Sequence, residues 1–342
     1  MYKIYFFQSE IQQILATGTP ANKIIFANPA KPDSHIKYAK KVGVDRMTVD
    51  GKEEIVKIKD IFPTAKLVIR IRNDSLKRSG TLCPLGEKFG CDPESEAPRL
   101  INLIKELNMD LHGFSFHPGS PCTDALAYSR GIEICKSLID YSRSIGLCDV
   151  RLIDIGGGFL GLCEEDLESV AEVVNETLKD IDSSIEVISE PGRYYVEGPF
   201  TLATQVHSKK ETLEGNVAKQ NYYVNDGCHG SFIQELLGLV VREPEFLYKK
   251  ARREEKFRST IWGPTCDYYD CIVKDQLLPK YSIGDWIVWR NMGAYSIALA
   301  GKFNGFFAAD VYPFIRKSQI TVVKAAIDKA KGTLPPQNEM AL

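Results

Sequence analysis

Two strand ends carry the residues best suited to chemistry. Arg151-Leu152-Ile153-Asp154-Ile155-Gly156-Gly157-Gly158-Phe159 is an apolar strand running into three glycines. Without Cβ atoms such a loop leaves backbone N–H groups uncovered, able to close around a phosphate; the plain alternative is a turn. Residues 187–195 repeat the pattern, with a strand that ends at Glu190-Pro191-Gly192-Arg193. Arginine offers fixed, planar donors that suit a phosphate. Two such ends predict one anion site at the carboxyl edge of a sheet or barrel. Glu190 is an acid at a buried strand end, where carboxylates seldom stand without a partner. One partner is a cationic heterocyclic nitrogen, such as the pyridinium of pyridoxal phosphate, whose proton a carboxylate maintains. The other is a lysine or arginine in a salt bridge. Asp154 has the same two readings from deeper in its strand.

Further candidates sit in turns. His117 precedes Pro118-Gly119-Ser120 at a strand end. Its imidazole would stack on a flat ring, transfer a proton, or serve only the fold. Ser120 and Gly119 would add donors to the same anion, or simply make the turn. Trp262-Gly263-Pro264-Thr265-Cys266-Asp267 displays a thiol and an acid; a turn cysteine exchanges protons only where its surroundings tune it. Tyr295, in Asn291-Met292-Gly293-Ala294-Tyr295, offers a phenol to a phosphate or packs as an ordinary tyrosine. Asn225-Asp226-Gly227 reads first as a type I′ turn.

The elements that must position these residues alternate. Apolar strands at 24–27, 46–49, 66–71, 111–116, 152–155 and 187–190, with a weaker one at 2–7, are separated by amphipathic helices. One helix carries Ile55, Val56 and Ile58 on its inner face. Such alternation predicts parallel βαβ units. Seven evenly spaced strands predict a (β/α)-barrel with its chemistry at the C-terminal strand ends; an open doubly wound sheet is the competing architecture. After about residue 200 the helices fade and strands at 201–209, 221–224, 259–262 and 286–289 predict a mostly-β second domain, with 213–220 as a polar surface loop. The domains are thus 1–198, 199–330 and a frayed tail, 331–342.

The 342 residues carry a formal net charge of −2, which does not point to nucleic acid or an anionic membrane as main partner. No apolar run reaches the ~20 residues of a membrane helix, and no signal-peptide pattern opens the chain. Nine scattered cysteines without a Cys-x-x-Cys pair, and five scattered histidines, favour free thiols over disulfides or a metal site. A cytoplasmic protein without a metal is expected.

Taken together and in order, these motifs resemble the eukaryotic ornithine decarboxylase family, pyridoxal-phosphate enzymes with an alanine-racemase-like barrel. The resemblance rests on Phe26-Ala27-Asn28-Pro29-Ala30-Lys31, Leu67-Val68-Ile69-Arg70-Ile71, Lys88-Phe89-Gly90, Phe116-His117-Pro118-Gly119-Ser120 and the glycine run. It continues through Glu190-Pro191-Gly192-Arg193-Tyr194-Tyr195, Asn225-Asp226-Gly227, the Cys266 turn, the Tyr295 stretch and Phe303-Asn304-Gly305-Phe306, spanning about residues 10–316. It implies that His117 stacks on the pyridine ring, and that Glu190 meets the ring nitrogen with Arg70 nearby. Ser120, Gly157, Gly158, Gly192, Arg193 and Tyr295 would hold the phosphate. Cys266 would reprotonate the substrate carbon and Asp267 would hold a distal amine, both across a head-to-tail homodimer with shared active sites.

Departures accompany the match. The family's first barrel strand, which carries the Schiff-base lysine in a Tyr-x-Val-Lys-Cys-Asn-like sequence, has no counterpart here. The chain reads as starting near the second strand, so seven of eight strands are expected, with the missing segment encoded upstream. Neither Lys3 nor Lys31 matches the lysine. Leu237 and Gly238 stand where the family has a substrate-contacting Tyr-Asp pair, and Pro118 where it usually has valine. The resemblance therefore implies an ornithine-to-putrescine decarboxylase of polyamine synthesis, impaired as the chain stands. Two alternatives are a non-catalytic relative like antizyme inhibitor, which binds antizyme, and a decarboxylase with another amino-acid substrate. A basic surface of Lys31, Lys37, Lys40, Lys41 and Arg46 would serve the antizyme role, or be a solvated helix face.

Overall fold

The computed structural model describes residues 3–5, 8–73, 85–162, 164–215, 217–247 and 255–331. It divides into two units: the described residues within 1–159, 165–191 and 313–342, and those within 160–164 and 192–312.

The first unit is built on a seven-stranded sheet: β1 (Lys3–Tyr5), β2 (Ile24–Phe26), β3 (Arg46–Val49), β4 (Lys66–Arg70), β5 (Asp110–Ser115), β6 (Leu152–Asp154) and β7 (Glu186–Ile188). Neighbours pair in chain order and in parallel throughout. A doubly wound sheet would reverse direction at a switch point. The unbroken order is instead the wall of a (β/α)-barrel, as the strand spacing predicts. Of the first strand expected at 2–7, Lys3–Tyr5 is seen and the rest lies outside the described residues. The central strands are buried almost end to end, as β4 is from Leu67 to Arg70, because helices cover parallel sheets on the outside. Helices α1 (Gln8–Ala16), α2 (Asp33–Val42), α3 (Lys52–Ile61), α4 (Ala97–Glu106), α5 (Ala125–Ser144) and α6 (Glu164–Leu178) are the connections. In α4, Ala97, Leu100, Ile101 and Ile104 are buried at helical spacing. In α3 only Ile55 and Ile58 are buried; Val56 is exposed, since it stands too far round the helix to share their stripe.

Lys31 departs from the expected basic surface. It is 2 % exposed. Its Nζ donates to the carbonyl oxygens of Thr48 (2.6 Å) and Asn28 (3.0 Å) and pairs with Glu54 at 3.0 Å. Carbonyls at the ends of β2 and β3 thus replace its water, and burial lowers its pKa to about 8 against the raising effect of Glu54. Lys37, Lys40 and Lys41 are exposed.

The second unit contains the short helix α7 (Gly192–Val196) and a six-stranded sheet. Its strands are β8 (Leu202–Glu214), β9 (Val217–Val224), β10 (Glu245–Phe246), β11 (Lys256–Trp262), β12 (Cys271–Pro279) and β13 (Trp286–Trp289). Their order is β10-β13-β8-β9-β11-β12. All pairs are antiparallel except β9 with β11. Its core gathers Val206, Tyr222, Phe232, Ile261, Ile287 and Trp289. The expected polar loop at 213–220 is instead the end of the β8–β9 hairpin, with Gly215 at φ 63° in its turn. Residues 207–211 of β8 are solvent-exposed, so this half reads as polar while keeping its ladder. Strand β12 escapes the pattern because Asp275, at φ 53°, breaks its alternation. A four-residue helix, α8 (Ile233–Leu236), follows β9 in this unit. Helix α9 (Ile320–Lys331), which belongs to the first unit, closes the described chain, and the expected tail beyond it lies outside the described residues.

No described helix is long and apolar enough to cross a membrane. Among the described residues no cluster of three or more His, Cys, Asp or Glu is placed to hold a metal, and seven described cysteines are free.

Candidate functional site

Parallel register turns four strand ends into two rows of side chains in the first unit. Arg70 pairs with Ser115, Ser115 with Asp154, and Asp154 with Ile188. Two residues further on, His117, Gly156 and Glu190 form the next row, and a two-residue step keeps each on the same face as its predecessor. Glu190 N donates to Gly156 O at 2.7 Å and Phe116 N to Asp154 O at 3.0 Å, carrying the ladder past the formal strand ends.

The glycines exist for close approach. A Cβ on Gly157 would lie 2.5 Å from Glu190 O and 3.2 Å from His117 Nε2. Gly158 stands at φ 94°, where a side chain is strained, and a Cβ there would strike Gly119 O. The loop is pinned by Tyr128, whose hydroxyl donates to Gly157 O at 2.9 Å, and by Cys122 N donating to Gly158 O at 2.9 Å. Ser120 lies in the half-buried loop that follows His117.

The electrostatics of this cluster are coupled. Asp154 and Glu190 are hydrogen-bonded; burial raises Asp154 well above the carboxylate range, and the neighbouring Glu190 charge raises it further. Glu190 is raised chiefly by burial, while the bond from Asp154 and the Arg70 charge favour its ionised form. Of the two, Asp154 is the side favoured to carry a proton and Glu190 the side favoured to accept the bond. Asp154 Oδ1 also accepts from Gly156 N at 3.0 Å. Arg70 is buried, its guanidinium 5.3 Å from the Phe89 ring centroid. His117 is pushed down to about 3 by burial first and the Arg70 charge second. Its Nδ1 accepts from Gly119 N at 3.1 Å, which leaves the proton on Nε2. A neutral imidazole offers a flat face, not a cationic acid. Ser115 Oγ, between Arg70 and Asp154 in the lower row, is buried with no hydrogen-bond partner among the described residues.

The second unit brings together two further groups. Arg193, on α7, is buried and stacks on Tyr295, 5.1 Å from guanidinium to ring centroid. Its Nη1 donates to Glu197 Oε1 at 2.5 Å and its Nη2 to Gln234 Oε1 at 3.3 Å. Gly192, just before it, borders open space. In the other group Cys266 is exposed, its Sγ 3.3 Å from Asn304 Oδ1. Asp267 Oδ2 lies 2.6 Å from His229 Nε2. A bond from Tyr269 N, then the His229 bond, holds its carboxyl below the usual range. The His229 ring rests on Phe303, with centroids 4.5 Å apart. Asp270 ties these loops together: it accepts from Cys228 N at 2.7 Å and from Thr265 Oγ1 at 2.6 Å. The Asn225-Asp226-Gly227 stretch is not a type I′ turn, for none of its residues has the positive φ that turn needs. Asp226 Oδ1 instead accepts from Gly227 N and Ser231 N, so the Asp side chain folds the loop on itself.

Every site residue expected from the sequence is therefore described. Arg70, His117, Gly157, Gly158 and Glu190 converge; Arg193 and Tyr295 meet; Cys266 and Asp267 share a turn. Sequence reading missed Glu197 and His229. Glu197 was detectable as the residue one helical turn after Arg193. His229 carried no signal, because only the parallel pairing of β9 with β11 sets its loop beside that of Asp267.

Residues 7–197 match the family model described as pyridoxal-dependent decarboxylase, pyridoxal binding domain. The chain is 40% identical over 303 residues to ornithine decarboxylase 2 of Drosophila melanogaster, covering 87% of this chain and 76% of that one. It is 38% identical over 318 residues to antizyme inhibitor 2 of Xenopus laevis, covering 89% and 69%. Among solved structures, the arginine decarboxylase of Paramecium bursaria Chlorella virus superposes with a TM-score of 0.85 at 33% identity, over 91% of this chain and 83% of that one.

Proposed function

The chain belongs to the pyridoxal-dependent decarboxylases of ornithine decarboxylase type, its cofactor is pyridoxal 5′-phosphate, and from that premise we propose that it removes the α-carboxyl group of a basic amino acid. Ornithine is the first candidate, with putrescine as product in polyamine synthesis. The observation that carries this reading is geometric: hydrogen-bonded Asp154 and Glu190 meet Arg70 and His117 at consecutive parallel strand ends.

The residues fit the coenzyme. Buried Asp154 bonded to half-buried Glu190 suits a ring nitrogen that must stay protonated, an uncharged imidazole suits the ring face, and loops with no room for a Cβ suit close approach of a backbone. When bound, the coenzyme supplies an electron sink for the pair left behind as carbon dioxide departs. Glu190, whose ionised form the Asp154 bond and the Arg70 charge favour, is assigned to the ring nitrogen. His117 is assigned to the ring face, and Ser120, Gly157, Gly158, Gly192, Arg193 and Tyr295 to the phosphate. Cys266, whose thiol is exposed, returns a proton to the reacting carbon, and Asp267 receives the distal amine, in a cytoplasmic homodimer that shares its sites. Lys31 is not assigned to the coenzyme's aldehyde, since its Nζ is held by Thr48 O, Asn28 O and Glu54.

A second reading, antizyme binding without catalysis, is favoured by Leu237 and Gly238 at the Tyr-Asp positions and by the Xenopus relative. Release of labelled carbon dioxide from carboxyl-labelled ornithine, lysine and arginine, with coenzyme supplied, separates the readings. Release from ornithine supports the first. Coenzyme binding without release, joined to capture of purified antizyme, supports the second. Failure to bind the coenzyme refutes the first.

A further inference from the structure

Arg193 has its charge matched from inside the chain. Glu197 follows it by one helical turn, and the side chains of the pair are 5% and 6% exposed. Gln234 takes a second guanidinium nitrogen and is itself fixed by donating Nε2 to Ala294 O at 2.8 Å. Tyr295 covers a face of the guanidinium. Glu197 holds on by one oxygen only: Oε2 is buried with no hydrogen-bond partner among the described residues. A permanent buried ion pair is stable when its remaining lone pairs are satisfied; this carboxylate is left half-satisfied, beside a residue, Gly192, that borders open space. A phosphate brought to Arg193 would meet a carboxylate already seated there, and like charges repel strongly where water is excluded.

We propose that Glu197 is an internal counter-ion that competes with a phosphate monoester for Arg193, so that it sets how tightly this chain holds the phosphate of its coenzyme. The proposal rests on the reading that Arg193 serves that phosphate. Glu197 is thus a specificity-determining residue: it weakens the advantage of a phosphorylated ligand over its unphosphorylated parent. In Glu197→Gln the amide oxygen still accepts from Nη1, but the competing charge is gone.

The test measures dissociation constants of pyridoxal 5′-phosphate and of pyridoxal by fluorescence, for the full chain, Glu197→Gln, Glu197→Ala, and each with Arg193→Met added. The pyridoxal constant divided by the pyridoxal 5′-phosphate constant is the phosphate's contribution. It is expected to rise at least tenfold in Glu197→Gln and to fall back when Arg193→Met is added. Thermal midpoints with inorganic phosphate give a second readout, and phosphate is expected to raise the midpoint of Glu197→Ala more than that of the parent chain. An unchanged ratio in both Glu197 variants, with Arg193→Met still lowering it, overturns the role of Glu197 and leaves the reading of Arg193 intact. A ratio that Arg193→Met changes in no background overturns the reading of Arg193 itself.

Discussion

Replacing Asp154 tests whether it shares a proton with Glu190. In Asp154→Ala, Glu190 loses a charge-assisted hydrogen bond, which contributes about 1.5–3 kcal/mol. Gly156 N also loses the acceptor it meets at 3.0 Å, for about 1 kcal/mol more. Together they predict a loss of about 2.5–4 kcal/mol, a fall of roughly 3–6 °C in the thermal midpoint of a 342-residue chain. Asp154→Asn keeps an acceptor for Gly156 and a donor for Glu190, so its cost is predicted at under about 1 kcal/mol. The pH dependence gives the sharper contrast. The folded pair keeps a proton that the unfolded chain releases at about pH 4. Over that window the folded state binds more protons, so this contribution to stability is present at low pH and is lost as pH rises from about 4. Asparagine cannot titrate, and the dependence should flatten. Urea denaturation without coenzyme, run from about pH 4 to 8, measures both effects. An asparagine variant as damaged as the alanine variant, or one that keeps the parent's pH slope, would refute the shared proton.

Other expectations follow from the same geometry. His117 and His112 are held down to about 3 and 4, chiefly by burial. The unfolded chain takes up their protons first, so stability should fall as pH drops below about 6.5; a double Asn variant should lose that slope in the same denaturation series. Gly158→Ala combines positive-φ strain of about 1–2 kcal/mol with a clash against Gly119 O, so calorimetry should give a lower midpoint and titration weaker coenzyme binding. Lys31→Met breaks a buried pair and should cost about 3 kcal/mol. Charge reversals at exposed Lys37 and Lys41 should stay within about 0.5 kcal/mol while weakening any capture of purified antizyme.

What the sequence reveals depends on how local each requirement is. Glycines at 156–158 mark a close approach that no other residue permits, and strand-helix alternation marks parallel pairing, so the barrel wall and the edge where Arg70, His117 and Glu190 meet were readable. The pairing of Asp154 with Glu190 was not, because it depends on register between strands far apart in the sequence. The same reason hid His229 from Asp267. Lys31 looked like surface because its neighbours Lys37 and Lys40 are surface; only the carbonyls at the ends of two strands make its burial tolerable. The β8–β9 ribbon read as a loop because ladder hydrogen bonds leave no mark on side-chain polarity.

The claim beneath all of this is that Glu190, backed by Asp154, holds a proton on the coenzyme's ring. Nitrogen NMR of pyridoxal 5′-phosphate labelled at the ring nitrogen, bound to the chain near neutral pH, tests it directly. The account predicts a pyridinium signal that is lost in Glu190→Gln. An unprotonated ring in the parent chain, or a pyridinium signal that survives Glu190→Gln unchanged, would contradict it.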